Sequence, residues 1–129
     1  MPAQIEAYFL HLAAGLAMLA AFARVYTWLT PYNEMALIRG GSLAAAMSLL
    51  GALAGFGLAI ASSIVHNDHF AAFGIWALLA AAVQLGVYAL IARLMPRLRE
   101  DIANNNQAVG AMLGGLSLVV GVVNAACLS

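Results

Sequence analysis

The chain has 129 residues, of which 65% are hydrophobic and 8% charged, and its mean hydropathy is +0.97, values that exclude an ordinary soluble domain. Five arginines and no lysine balance five acidic residues to a formal charge of zero, which leaves no basic footprint for nucleic acid. Cys127 is the single cysteine, so neither an internal disulfide nor a thiolate metal cluster can form.

Four apolar windows approach or exceed the roughly 20 residues needed to cross a bilayer: 7–29, 41–65, 70–94 and 107–128. Each run is too long and too continuous for barrel strands, which alternate faces over about ten residues. The expected fold is therefore all-α, an integral membrane four-helix bundle forming one transmembrane domain over 1–129. The first window does not read as a cleaved signal peptide. Only Glu6 among the residues before Tyr8 is charged, and the apolar run outlasts the usual hydrophobic region.

The turn after the first span, Thr30-Pro31-Tyr32-Asn33-Glu34, holds a proline that should end the helix. Asn33 is placed to cap a new helix, whose first residue, Glu34, would meet the positive end of the dipole. The turn after the third span, Met95-Pro96-Arg97 leading to Glu100-Asp101, has similar chemistry, and Arg97 and Asp101 are spaced to pair across one helical turn. Arg24, Arg39, Arg93, Arg97 and Arg99 all lie near these two turns, with none at the other side. The positive-inside rule makes both turns cytoplasmic, with the termini and the loop around residues 65–70 outside. Arg24 and Arg93, about one turn inside their helices, read as snorkelling side chains. Tyr26, Trp28 and Tyr32 on the inner side, and Tyr8 and Phe9 on the outer, suit aromatic belts.

Sliding the second span onto the fourth by 64 positions aligns Ile38 with Ile102, Ala44 with Ala108, Leu49 with Leu113, Gly51 with Gly115, Gly57 with Gly121 and Ala61 with Ala125. Two parallel two-helix repeats, about 7–65 and 70–129, are expected on that basis. Gly51 and Gly55, extended by Ala59 and Ser63, make one smooth face on the second span, and Gly110 and Gly114 repeat the motif on the fourth. In lipid, small residues of this kind let helix backbones approach closely.

Polar side chains within the spans are few. Gln84 is the only long one at mid-depth and should hydrogen-bond inside the bundle. His11, Ser62, Ser63 and Asn124 fall at similar depth near the loop His66-Asn67-Asp68-His69, where three imidazoles and a carboxylate could in principle hold zinc or sense pH. The spacing matches no ligand pattern, and a solvated loop is the simpler reading. No acidic residue lies in any of the four windows, which disfavours a proton-coupled pump. No nucleophile elbow, phosphate loop or carboxylate pair is present, so no catalytic, cofactor-binding or metal residue is assigned and no enzyme is expected.

The turn Thr30-Pro31-Tyr32-Asn33-Glu34 with Leu37-Ile38, the stretch Gly41-Ser42-Leu43-Ala44-Ala45-Ala46, Trp76 with Gln84, and Gly121-Val122-Val123-Asn124-Ala125-Ala126 together resemble the domain of unknown function 350 family, the YjfL-type small bacterial inner-membrane proteins. The resemblance covers nearly the whole chain. Members typically carry Gly-Asn before the second helix, where this chain has Gly41-Ser42 and keeps the asparagine only at Asn106; many also carry proline where Ala59 stands. It implies a cytoplasmic-membrane location and, in some members, association with envelope-stress proteins of the phage-shock type. It implies no reaction, ligand or cofactor.

The expected role is thus a non-enzymatic membrane component that self-associates, or docks a partner through Arg39, Arg97 and Arg99, with membrane lipids around it. The alternative is a small channel or transporter subunit whose path passes Gln84 and opens near His11 and Asn124. Glu34, Ser42 and Asn106 complete the candidate functional polar residues.

Overall fold

A computed structural model describes residues 2–128, and every regular element among them is a helix. Six helices follow in chain order: α1 Pro2–Leu29, α2 Glu34–Arg39, α3 Leu43–His66, α4 Phe70–Leu94, α5 Leu98–Ala103 and α6 Gln107–Cys127. The four long ones are each long and apolar enough to span a membrane. α1 starts five residues before the expected window, at Pro2, because proline is well tolerated where the first-turn N–H has no partner. At 28 residues it is about 42 Å long, more than a bilayer core needs. α3 runs unbroken through the fully buried Ala59, where a proline would have interrupted it.

The helix ends follow from local chemistry. Asn33, Ser42 and Asn106 each turn a side-chain oxygen back to accept a backbone N–H three residues on, from Ala36 at 3.1 Å, Ala45 at 3.2 Å and Val109 at 3.2 Å. Gly41 and Asn105, the residues before two of these caps, are the left-handed positions, with φ of +90° and +57°. Glycine and asparagine are the residues that adopt this conformation most readily. Each half of the chain therefore runs long helix, short helix, long helix, and α2 and α5 lie 64 positions apart at both ends.

α3 is the centre of the bundle. It lies side by side with α6, running in the same direction: Ala44 meets Gly110, Met47 meets Gly114, Gly55 meets Gly121, and the Ser62 hydroxyl donates to the Ala125 carbonyl at 2.6 Å. Backbone rests on backbone along this seam. An added Cβ on Gly51 would strike the Gly114 carbonyl, and one on Gly110 would stand 2.5 Å from the Ala44 carbonyl oxygen. α1 packs antiparallel to α3, with Gly15 against Ile60 and Phe22 against Phe56 at a ring separation of 4.6 Å. α4 is antiparallel to both α3 and α6, bound to them by the hydrogen bonds described below.

α1 is the least enclosed helix: only Gly15, Phe22 and Tyr26 are buried, against ten residues of α3. An apolar cleft of about 320 Å³ separates it from α4, lined by Met18, Phe22, Val25, Ala77, Ala81 and Leu85 among others. A second apolar groove, of about 490 Å³, runs between α1 and α3 past Leu19, Ala23, Leu50 and Leu53.

Candidate functional site

The arginine-bearing end holds the densest group of buried polar side chains. Pro31 stops α1, and the chain reverses through Tyr32 and Asn33 into α2. The Thr30 hydroxyl fixes the reversal by donating toward the Thr27 carbonyl at 3.0 Å and the Tyr32 carbonyl at 3.3 Å. Because the Asn33 cap sets the helix start, Glu34, Leu37 and Ile38 share one face by their i, i+3 and i+4 spacing, and that face packs on the bundle.

Glu34 is consequently enclosed, with 1% of its surface exposed. Around it stand Thr30 and Tyr32 of the turn, Tyr26 of α1 and Tyr88 of α4, all buried, with the Tyr26 and Tyr88 rings edge to face at 5.1 Å; Ser48 of α3 lies beside Tyr26. All three phenols interact electrostatically with Glu34. Neither Glu34 oxygen, and none of the Tyr26, Tyr32 or Tyr88 hydroxyls, reaches a partner with good hydrogen-bond geometry. Five buried oxygens thus share one chamber without full pairing, at a cost that grows steeply if one carries charge.

The ion pairing among the described residues does not relieve that charge, for it joins Arg97 to Glu100 at 3.7 Å on the surface. Removal from water pushes the Glu34 carboxyl up from 4.5 to about 7, with the Thr30 hydroxyl pulling weakly the other way. Burial also raises Tyr32, which keeps its proton at any physiological pH. Beside the chamber an open groove of about 510 Å³ is lined by Arg24, Thr27, Trp28, Asn33 and Met35 together with Thr30, Pro31, Tyr32 and Glu34.

These findings correct two sequence expectations. Tyr26 and Tyr32 do not belong to an interfacial belt but sit inside the bundle, drawn in by the reversal at Pro31, whereas Trp28 is 85% exposed. Arg97 meets Glu100 rather than Asp101, because α5 begins only at Leu98 and leaves Arg97 outside the regular helix that the i to i+4 spacing presumes. Glu34 starts α2 as expected but points inward, which its position in a turn motif does not disclose. Tyr88 is one helical turn beyond Gln84 on the same face of α4, and that spacing was the available signal for it.

The other candidate residues are separate from this chamber and from one another. Gln84 donates from Nε2 to the Ser117 carbonyl at 3.3 Å, and Asn124 donates to the Ala80 carbonyl at 3.2 Å, so both tie α4 to α6. Ser63 donates to the Phe73 carbonyl at 3.1 Å, while Asn67 Nδ2 lies 2.8 Å from the Ser63 carbonyl. The His11 ring packs against Phe70 and Phe73, and His66 turns back on its own helix to Ser62. No three His, Cys, Asp or Glu side chains converge among the described residues. Ser42 and Asn106 act as caps, and Arg39 and Arg99 are exposed at the same end as Arg97.

One contact that sequence reasoning missed joins the two halves: Asn105 Oδ1 accepts from the Ala44 N–H at 3.0 Å and lies 3.4 Å from the Ser42 hydroxyl. A residue of the second half thereby helps cap the central helix of the first.

A family model described as Domain of Unknown Function (DUF350) matches residues 1–128. The UPF0719 inner membrane protein YjfL of Escherichia coli (strain K12) is 34% identical over 115 residues, spanning 89% of this chain and 87% of that protein. The protein of the same name in Escherichia coli O157:H7 aligns to the same extent. No solved structure matches the chain.

Proposed function

The chain belongs to the DUF350 family, and from that premise we propose that it is a non-catalytic, multi-pass component of the bacterial inner membrane that works by assembling with further copies of itself. One observation carries this reading: α1 is the longest helix and the least buried, and apolar grooves flank it on both sides. Where lipid surrounds the protein, apolar faces gain little by leaving their surroundings, and association draws on close packing instead. A helix of a second copy seated along α1 would supply that packing.

Under this proposal both short turns lie in the cytoplasm and both termini outside, a reading that the one-sided arrangement of arginines supports. Arg39, Arg97 and Arg99 then present a basic surface to an acidic or membrane-peripheral partner, such as an envelope-stress protein. The long halves repeated in the same order, and the glycine seam joining α3 to α6, support an origin by duplication and a use of the small-residue motif within the protomer. Gln84 and Asn124 spend their amide donors between helices, which favours a structural role for them over a conduction path.

Disulfide crosslinking in native membranes tests the assembly. In a Cys127→Ser background, Ala17→Cys on α1 should give a crosslinked dimer, whereas Val122→Cys on the outer face of α6 should not. Monomers alone from both variants, across a range of expression levels, would remove the proposal.

A further inference from the structure

We propose that the chamber enclosing Glu34 is a proton-binding site, and that release of its proton unseats α2 and swings the carboxylate out toward Arg24, opening the arginine-bearing end of the bundle. The inference does not depend on self-association.

The geometry offers Glu34 two distinct homes. In the closed home the carboxyl is buried among Thr30, Tyr26, Tyr32 and Tyr88, where a protonated group can both donate to and accept from the phenols. Ionised, it would be a charge without a counter-ion in a dry site, which structures tolerate poorly. The second home is the neighbouring open groove, which Glu34 already borders and which Arg24 also lines. A carboxylate there would have water and a guanidinium.

The groups that face Glu34 leave it as the one that titrates. α1 contributes Tyr26 and, across the groove, Arg24; the turn contributes Thr30 and Tyr32; α3 brings only the Ser48 hydroxyl, beside Tyr26; α4 contributes Tyr88. α2 itself has Arg39 exposed at its far end, α5 has Arg97 paired with Glu100 and Arg99 exposed, and α6 contains no charged residue. Burial holds the carboxyl near pH 7, inside the range a cytoplasm can visit.

α2 is suited to move as a unit. It is six residues long and joined to α3 through Gly40 and Gly41, and its remaining grip on the bundle is the half-buried pair Leu37 and Ile38. A bistable element biased by one charge is the general form of such a switch.

The full chain in nanodiscs, with Cys127→Ser, allows two readouts. Maleimide labelling of Leu37→Cys, divided by that of Asn104→Cys to cancel thiol ionisation, should rise roughly tenfold between pH 6 and 8.5 and stay flat when Glu34→Gln is added. Arg24→Gln should move the midpoint upward, because the open home loses its cation. A flat ratio in the parent, or the same rise with Glu34→Gln, would overturn the proposal. Infrared difference spectra of the wild-type chain supply a test that needs no folded variant: a protonated-carboxyl band at pH 6 that disappears by pH 8.5 is expected, and no such pH-dependent band would overturn the proposal.

Discussion

Replacing Gly114 by alanine should weaken the bundle far more than the same change at its neighbour Gly115. On Gly114 the new methyl would be driven into the Met47 carbonyl oxygen and stand 2.9 Å from the Met47 carbonyl carbon. Those atoms are backbone of α3 and cannot rotate away, so the helices must separate by about 1 Å to restore ordinary contact. Overpacking of this kind costs roughly 1–3 kcal/mol. Separation adds to it: a gap of that size forfeits about a quarter to a half of the dispersion attraction of each facing atom pair. The Ser62–Ala125 hydrogen bond, which crosses the same seam, would be stretched at a further cost of about 0.6 kcal/mol. A loss of about 3 kcal/mol follows for Gly114→Ala. At Gly115 nothing lies within 4 Å of the added methyl, and alanine favours a helix, so Gly115→Ala should be neutral or stabilise by up to about 1 kcal/mol. Steric-trapping or denaturant unfolding in mixed micelles reads both values. Equal stability of the two variants would refute the account of the α3–α6 seam.

Three further outcomes are expected. Glu34 is an acid whose folded value, about 7, lies above its unfolded value of 4.5, so the folded state holds the extra proton between them and stability falls as pH climbs from 4.5 to 7, then levels. Glu34→Gln escapes that fall: the two proteins should unfold alike near pH 4.5, and the variant should be the more stable at pH 8 by up to about 3 kcal/mol, less if unseating α2 limits the penalty; thermal melts at both pH values decide it, and a variant weaker at pH 8 would contradict the closed chamber. Asn105→Ala loses both the left-handed preference and the bond to Ala44, and should lower stability by about 1–2 kcal/mol in the same unfolding assay, with Asn105→Gly recovering the backbone part only. Gln84→Leu gives up one bond to Ser117 but also removes an unpaired buried oxygen, so its unfolding free energy should change by less than about 1 kcal/mol.

The spans, their turns and the Asn33 cap were legible because each rests on neighbours in sequence. Hydropathy sets the length of α3, α4 and α6, Pro31 stops α1, and Asn33 sits three residues before the N–H group it satisfies; the Ser42 and Asn106 caps emerge only in the structure. The chamber was only half legible. Glu34 could be picked out as unusual, but its burial depends on a chain reversal that presses a one-and-a-half-turn helix against α1, α3 and α4, and no local pattern encodes the direction of that press. Tyr26 and Tyr32 misled for the same reason: tyrosine near a span end fits a headgroup belt as well as it fits a polar interior. Asn105 was hidden because its partner, Ala44, is 61 positions away and contributes only a backbone N–H.

That long-range bond has a bearing on biogenesis. When the first two long helices leave the insertion machinery, the start of α3 still lacks the acceptor for its Ala44 amide, and the furrow along Gly51 and Gly55 has lipid where α6 will lie. The first deficit ends once Asn105 has been synthesised and the second once the α6 residues Gly114, Ser117 and Gly121 have followed. The nascent protein must therefore pass through a loosely joined stage, during which a surveillance protease or a chaperone has its opportunity to act.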